Sequence, residues 1–217
     1  MPVPTLANST AFPTPGDGTG TPLNIPVPGS PAIGDIAVVA AELNGSLSPA
    51  FTYPSGFTQK LNLTNTNLKL RVAWKRLTAL DSGQYALTYT SNGEFRQGHC
   101  ALIRGAIATG DPFEDAQTAN ATSTLTMPPV SVTCSADSLL LHFWALLNFR
   151  VSTPPTGFTR VKDTNYLDTA WKVPAAGGVN TASGGSVPTV TDHIVALLAV
   201  KAAAGGTPSF VGWGIPL

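Results

Sequence analysis

The chain has 217 residues, 43% of them hydrophobic, which is enough to build a core and excludes wholesale disorder. Only 11% are charged, against about 25% in an average soluble protein, and twelve Lys and Arg balance twelve Asp and Glu. Zero net charge argues against a nucleic-acid binder, which needs a basic surplus, and against a polybasic membrane anchor.

In place of charge stand 27 Thr, 15 Ser, 21 Gly and 19 Pro, residues that favour strands and turns. The surface is therefore expected to be hydroxylated and amidic rather than ionic. Residues 1–33 form a proline-rich N-terminal arm in which Thr5–Phe12 and residues 23–27 can each supply an edge strand. Residues 16–20 are glycine-rich but open no amphipathic helix, so they read as a loop and not as a phosphate cradle. The start lacks the basic and apolar stretches of a signal peptide, so synthesis in a cytoplasm is expected.

Behind Gly34-Asp35, the apolar run 36–43 predicts a strand covered on both faces. Leu70, Val72 and Trp74 alternate with Arg71, Ala73 and Lys75, the period of a half-buried strand. Tyr85, Leu87 and Tyr89 alternate in the same way, with turn signals at Ser82-Gly83 and Asn92-Gly93. Residues 99–103, 139–147 and 194–200 are further central strands, all far short of the roughly 20 residues that span a bilayer. Residues 175–185 read as the most flexible stretch. No helical period stands out, and many short strands indicate a sandwich or barrel.

An internal repeat sharpens this reading. Pro54-Ser55-Gly56-Phe57-Thr58 recurs as Pro155-Thr156-Gly157-Phe158-Thr159, and Ala73-Trp74-Lys75 recurs as Ala170-Trp171-Lys172. The run after Gly34-Asp35 matches that after Ala136-Asp137, and residues 99–104 match the region of 193–201. The expectation is an all-β, jelly-roll-like sandwich over 34–203, with pseudo-repeated halves at about 34–106 and 136–202. Phe57, Phe158, Trp74 and Trp171 are expected to form one pseudo-symmetric aromatic core, and His99 and His193 to occupy related places.

The ordered blocks Gly34-Asp35, 54–58, 72–75, 103–105 and 111–115 resemble a β-sandwich module of tailed-bacteriophage virion proteins, especially minor tail proteins of phages infecting actinobacteria. That resemblance implies a non-enzymatic structural role in the virion, with copies of itself and other virion proteins as partners, bound through strand edges and the C-terminal arm. It carries over no catalytic residue. Capsid decoration is an alternative on the same scaffold, and a receptor- or carbohydrate-binding module is another, with a host surface glycan as partner.

The search for chemistry is short. No nucleophile elbow, phosphate loop or metal-binding His pair is present, and no cofactor or metal is expected. His99, His142 and His193 read as strand-edge or core residues, and Cys100 and Cys134 as small buried hydrophobes. Asp111, Glu114 and Asp115 are the one acidic cluster, read as a solvated loop joining the halves, with Ca²⁺ binding as the alternative. Tyr53, Trp144, Phe149 and Tyr166 are the aromatic residues available to stack on a sugar. After residues 205–206, the apolar arm 204–217 carries Phe210, Val211, Trp213, Ile215 and Leu217, which would expose a hydrophobic patch unless docked, and these are expected to be assembly contacts.

Overall fold

A computed structural model describes residues 3–12, 22–45, 51–89, 95–148, 152–164 and 166–203, and among them there are strands and no helix. The first half supplies β1 (Thr5–Phe12), β2 (Leu23–Pro26), β3 (Ile36–Asn44), β4 (Phe51–Thr52), β5 (Thr58–Asn65), β6 (Leu68–Arg76), β7 (Gln84–Tyr89) and β8 (Phe95–Arg104). The second supplies β9 (Phe113–Thr126), β10 (Val130–Cys134), β11 (Leu139–Leu146), β12 (Thr159–Asp163), β13 (Leu167–Lys172), β14 (Gly178–Ala182) and β15 (Ser186–Val200).

Two antiparallel five-stranded sheets, ordered β1-β8-β3-β6-β5 and β12-β13-β11-β15-β9, pack face to face. The outer face of the first is covered by β2-β7-β4 and that of the second by β10-β14, giving four layers. Strand alternation sorts the side chains among three cores. Val38, Val72, Leu141 and Leu198 point into the shared central core between the large sheets. Val39, Ala73 and Cys100 point into the first outer core, and Leu140, Ala170 and Leu197 into the second. This explains why β3 and β11 read as continuous apolar runs: both faces are covered.

The duplication is deeper than the sequence repeat. Read from the β1 edge, the first sheet maps onto the second as β1 to β9, β8 to β15, β3 to β11, β6 to β13 and β5 to β12. Because β1 lies over β12 and β5 over β9, the halves are related by an approximate two-fold running along the strands. The bridge Ala106–Ala202 lies on that axis, where Ile107 N–H donates to Lys201 O (3.1 Å) and Ala203 N–H to Gly105 O (2.8 Å). The repeating unit therefore includes β1 and β9, which were not matched in sequence.

Both repeated motifs meet in three dimensions. Gly56 and Gly157 take φ of +86° and +77°, with Phe57 N–H and Phe158 N–H closing turns on Pro54 O and Pro155 O. The Lys of each Ala-Trp-Lys lies against that glycine: a Cβ on Gly56 would sit 3.3 Å from Lys75, and one on Gly157 3.7 Å from Lys172. Each of the four edge strands also carries a bulge, at Ala7 on β1, Glu114 on β9, Lys60 on β5 and Val161 on β12, in twin positions.

Four expectations are corrected. The aromatic residues do not form one core: Trp74 and Trp171 border the central core, whereas Phe57 and Phe158 seal the two outer ones on opposite sheet faces. Asp111, Glu114 and Asp115 do not form a free joining loop, since β9 begins at Phe113 and its acids are engaged by neighbouring backbone. Residues 175–185 contain β14, paired along its length with β10. His99 and His193 are not twins: ladder register places Ala196 opposite Phe143 as His99 is opposite Ala40, and matches His193 to Arg96.

Candidate functional site

The molecule has two unlike ends. At the base, where β3 and β11 begin, the twin turns keep the same bond, from Asp35 N–H to Ala32 O and from Ser138 N–H to Ser135 O. Asp35 there accepts both Nε and Nη2 of Arg104 at 2.9 and 2.8 Å. At the far end, Asn44 of β3 donates to Leu147 O just beyond β11, and Asn65 of β5 donates to Ala121 O and His193 O. Here the duplicate positions have diverged into polar residues, most of them buried.

Along the central seam, β8 offers Gln97 and His99 where its twin β15 has Ile194 and Ala196. His99 Nε2 lies 3.0 Å from Thr164 Oγ1 and Nδ1 2.6 Å from Thr169 Oγ1, both on the other half. Thr164 spends its own proton on Leu167 O, so Nε2 carries the ring hydrogen and Nδ1 accepts from Thr169. Burial, then the Lys162 charge, pushes His99 down to about 3. It is a neutral pin between halves, shielded from solvent.

On the outer face of the first sheet, Lys69, Arg71 and Arg96 are all buried, within two adjacent cross-strand rows. Lys69 Nζ donates to Gly45 O (2.5 Å), and Arg71 to Leu63 O and Leu70 O. Burial lowers Arg71, and it also raises Tyr53 to about 12 against the opposing pull of the Arg71 charge. The twin of Arg71 is Asp168, which accepts Ser152 Oγ at 2.5 Å and Arg160 Nη2 at 3.2 Å. Burial raises the Asp168 carboxyl despite those bonds. The same scaffold position thus buries a cation in one half and a carboxylate paired with Arg160 in the other.

The sequence-derived candidates fall in several places. Trp144 is fully buried and donates its indole N–H to His193 Nδ1 (2.9 Å), while His193 Nε2 bonds Thr124 O (2.9 Å), so Trp144 offers no face to a sugar. Tyr166 is buried too, and Tyr53 is half-buried at the loop end. Phe149 lies outside the described residues, as do residues 16–20 and the arm residues Phe210, Val211, Trp213, Ile215 and Leu217. Cys100 and Cys134 sit in different outer cores, separated by both large sheets, and are free thiols.

The acidic cluster serves backbone donors. Asp115 accepts Ala116 N–H and Thr133 N–H, Glu114 accepts Ser135 N–H, and Asp111 pairs with Lys60 at 2.6 Å. Among the described residues, no group of three or more His, Cys, Asp or Glu converges as metal ligands would. Sequence reasoning missed the buried cations because polar alternation in β6 suggested an exposed face. Where the covered face carries charges, as in β6, the strand keeps the alternation of one that faces water.

Compared with protein-family models, with curated proteins and with solved structures, the chain finds no match.

Proposed function

We propose that this chain is a non-enzymatic structural protein of a tailed-phage virion, a minor tail or tail-tip component held in its assembly through the C-terminal arm. The observation that carries the reading is where the resembling motifs lie: every one is a joint of the scaffold. Gly34-Asp35 turns into β3 and anchors Arg104, Pro54–Gly56 turns the chain against Lys75 and sets Phe57 on Tyr85, and Asp111 ties β9 to Lys60 of the other half. Motifs that sit at such joints fix a shape, which suits a load-bearing part. With a bulge on every large-sheet edge, strand addition is a poor route to neighbours, and the arm becomes the better contact.

Capsid decoration uses the same arm on a different lattice.

Cryo-EM of particles carrying full-length chain, beside particles supplied with a 205–217 deletion, tests the proposal. Density at the tail, lost on deletion while the purified domain keeps its melting temperature, is the expected result. Density on the capsid lattice selects decoration. Unchanged incorporation of the deletion overturns the role of the arm.

A further inference from the structure

The two outer layers differ in what they bury. In the first half, the core beneath β2-β7-β4 holds no histidine, and Val39 stands at its centre. Its twin in the second half is His142, opposite Ala170 and Leu197 on β11, fully buried, with no hydrogen-bond partner on either ring nitrogen. The ring is tilted against Phe158, centroids 5.8 Å apart. None of the groups facing it hydrogen-bonds to the ring, Asp168 two residues from Ala170 on the same face of β13 included. β10 brings Cys134, and β13 brings Lys172, whose Nζ lies over the Phe158 ring at 5.7 Å. β15 brings His193, already bonded to Trp144 and Thr124, and Arg160 of β12 is taken by Asp168 and Ser152. β14 has no titratable side chain.

The ties at the sheet edge differ as well. In the β1 bulge, Asn8 Nδ2 donates to Gly29 O at 3.0 Å, a bond indifferent to pH. Its twin Asp115 accepts Thr133 N–H of β10 at 2.9 Å, and neighbouring Glu114 accepts Ser135 N–H at 2.6 Å and Ser138 Oγ at 3.1 Å. Those bonds hold β10 through carboxylates.

We propose that acid opens the β10-β14 layer of the second half while the β2-β7-β4 layer of the first stays closed, so that one of two duplicate sandwiches is a proton-sensitive shutter. The closed layer refuses His142 a proton, since burial holds it down at about 3, whereas an opened layer lets it take one near 6.5. Each pH unit below 6.5 then favours opening by about tenfold, or about 300-fold between pH 7 and pH 4. Asp115 acts later. Burial raises it, but the N–H groups of Thr133 and Ala116 and the Gln117 amide outweigh this and hold it below the usual carboxylate range.

Hydrogen exchange of the full chain at pH 7 and pH 4, corrected for intrinsic rates, tests this by mass spectrometry. Val130–Cys134 and Gly178–Ala182 should lose protection by about two orders of magnitude, while Leu23–Pro26 and Gln84–Tyr89 keep theirs. His142→Val, which copies Val39, should restore protection at pH 4. Equal loss in both layers overturns the proposal, as does undiminished loss in His142→Val. The comparison of the two layers in the unmutated chain decides by itself if that variant does not fold.

Discussion

At Gly56 and Gly157 the backbone is left-handed, and a Cβ would sit 3.3 Å from Lys75 at the first and 3.7 Å from Lys172 at the second. Alanine must therefore accept backbone strain at both positions, and at Gly56 a small shift of the Lys75 stem as well. Each substitution is expected to cost about 1–2 kcal/mol, read as a lower urea midpoint, and a neutral result would refute the packing argument. The histidines give a second test at this scale. Burial first, with Lys162 adding at His99, holds His99 and His142 at about 3, below the roughly 6.5 of an unfolded chain. The unfolded state then binds the extra protons, so stability is full above pH 6.5 and falls as pH drops towards 3. Each histidine should contribute a slope of about 1.4 kcal/mol per pH unit between those limits. Urea titrations from pH 7 to pH 4 should show the combined slope, and a flat profile would contradict it.

Among the elements, Thr5–Phe12 forms the edge strand that the sequence indicated, but its kinship with β9 did not show there. Runs such as 36–43 and 139–147 announced β3 and β11, because a strand buried on both faces is apolar at every position. Pro-x-Gly-Phe and Ala-Trp-Lys announced the repeat because turn geometry and a glycine contact restrict those residues. β1 and β9 share a bulge and a place in the sheet, yet Leu6-Ala7-Asn8 and Phe113-Glu114-Asp115 share almost no chemistry. A bulge asks only for one extra residue, and either an amide or a carboxylate can tie the layer above, so their kinship was invisible in the text. The loop end was equally hidden, since charges under a covering layer look the same as charges facing water. Asp115→Ala should expose this tie: it frees the N–H groups of Ala116 and Thr133 and should cost about 1–3 kcal/mol, measured by denaturation at pH 7. A cost no greater than that of an ordinary surface substitution would mean water replaces the carboxylate without loss.

For the molecule as a whole, the central core governs cooperativity. Val38 and Val72 of one half meet Leu141 and Leu198 of the other in one cluster, so neither large sheet keeps its inner face dry alone. Leu141→Ala should cost about 2–5 kcal/mol and lower a single calorimetric transition. Two separated transitions would instead show that each half stands on its own outer core. The bridge Ala106–Ala202 has one more consequence, and it is mechanical. The chain leaves β15 beside the two-fold axis, and β15 is hydrogen-bonded along both flanks, to β11 and to β9. Tension applied beyond Ala203 runs lengthwise along that strand. Both ladders are then loaded in shear, their bonds resisting together, and none can be unzipped singly from a free edge.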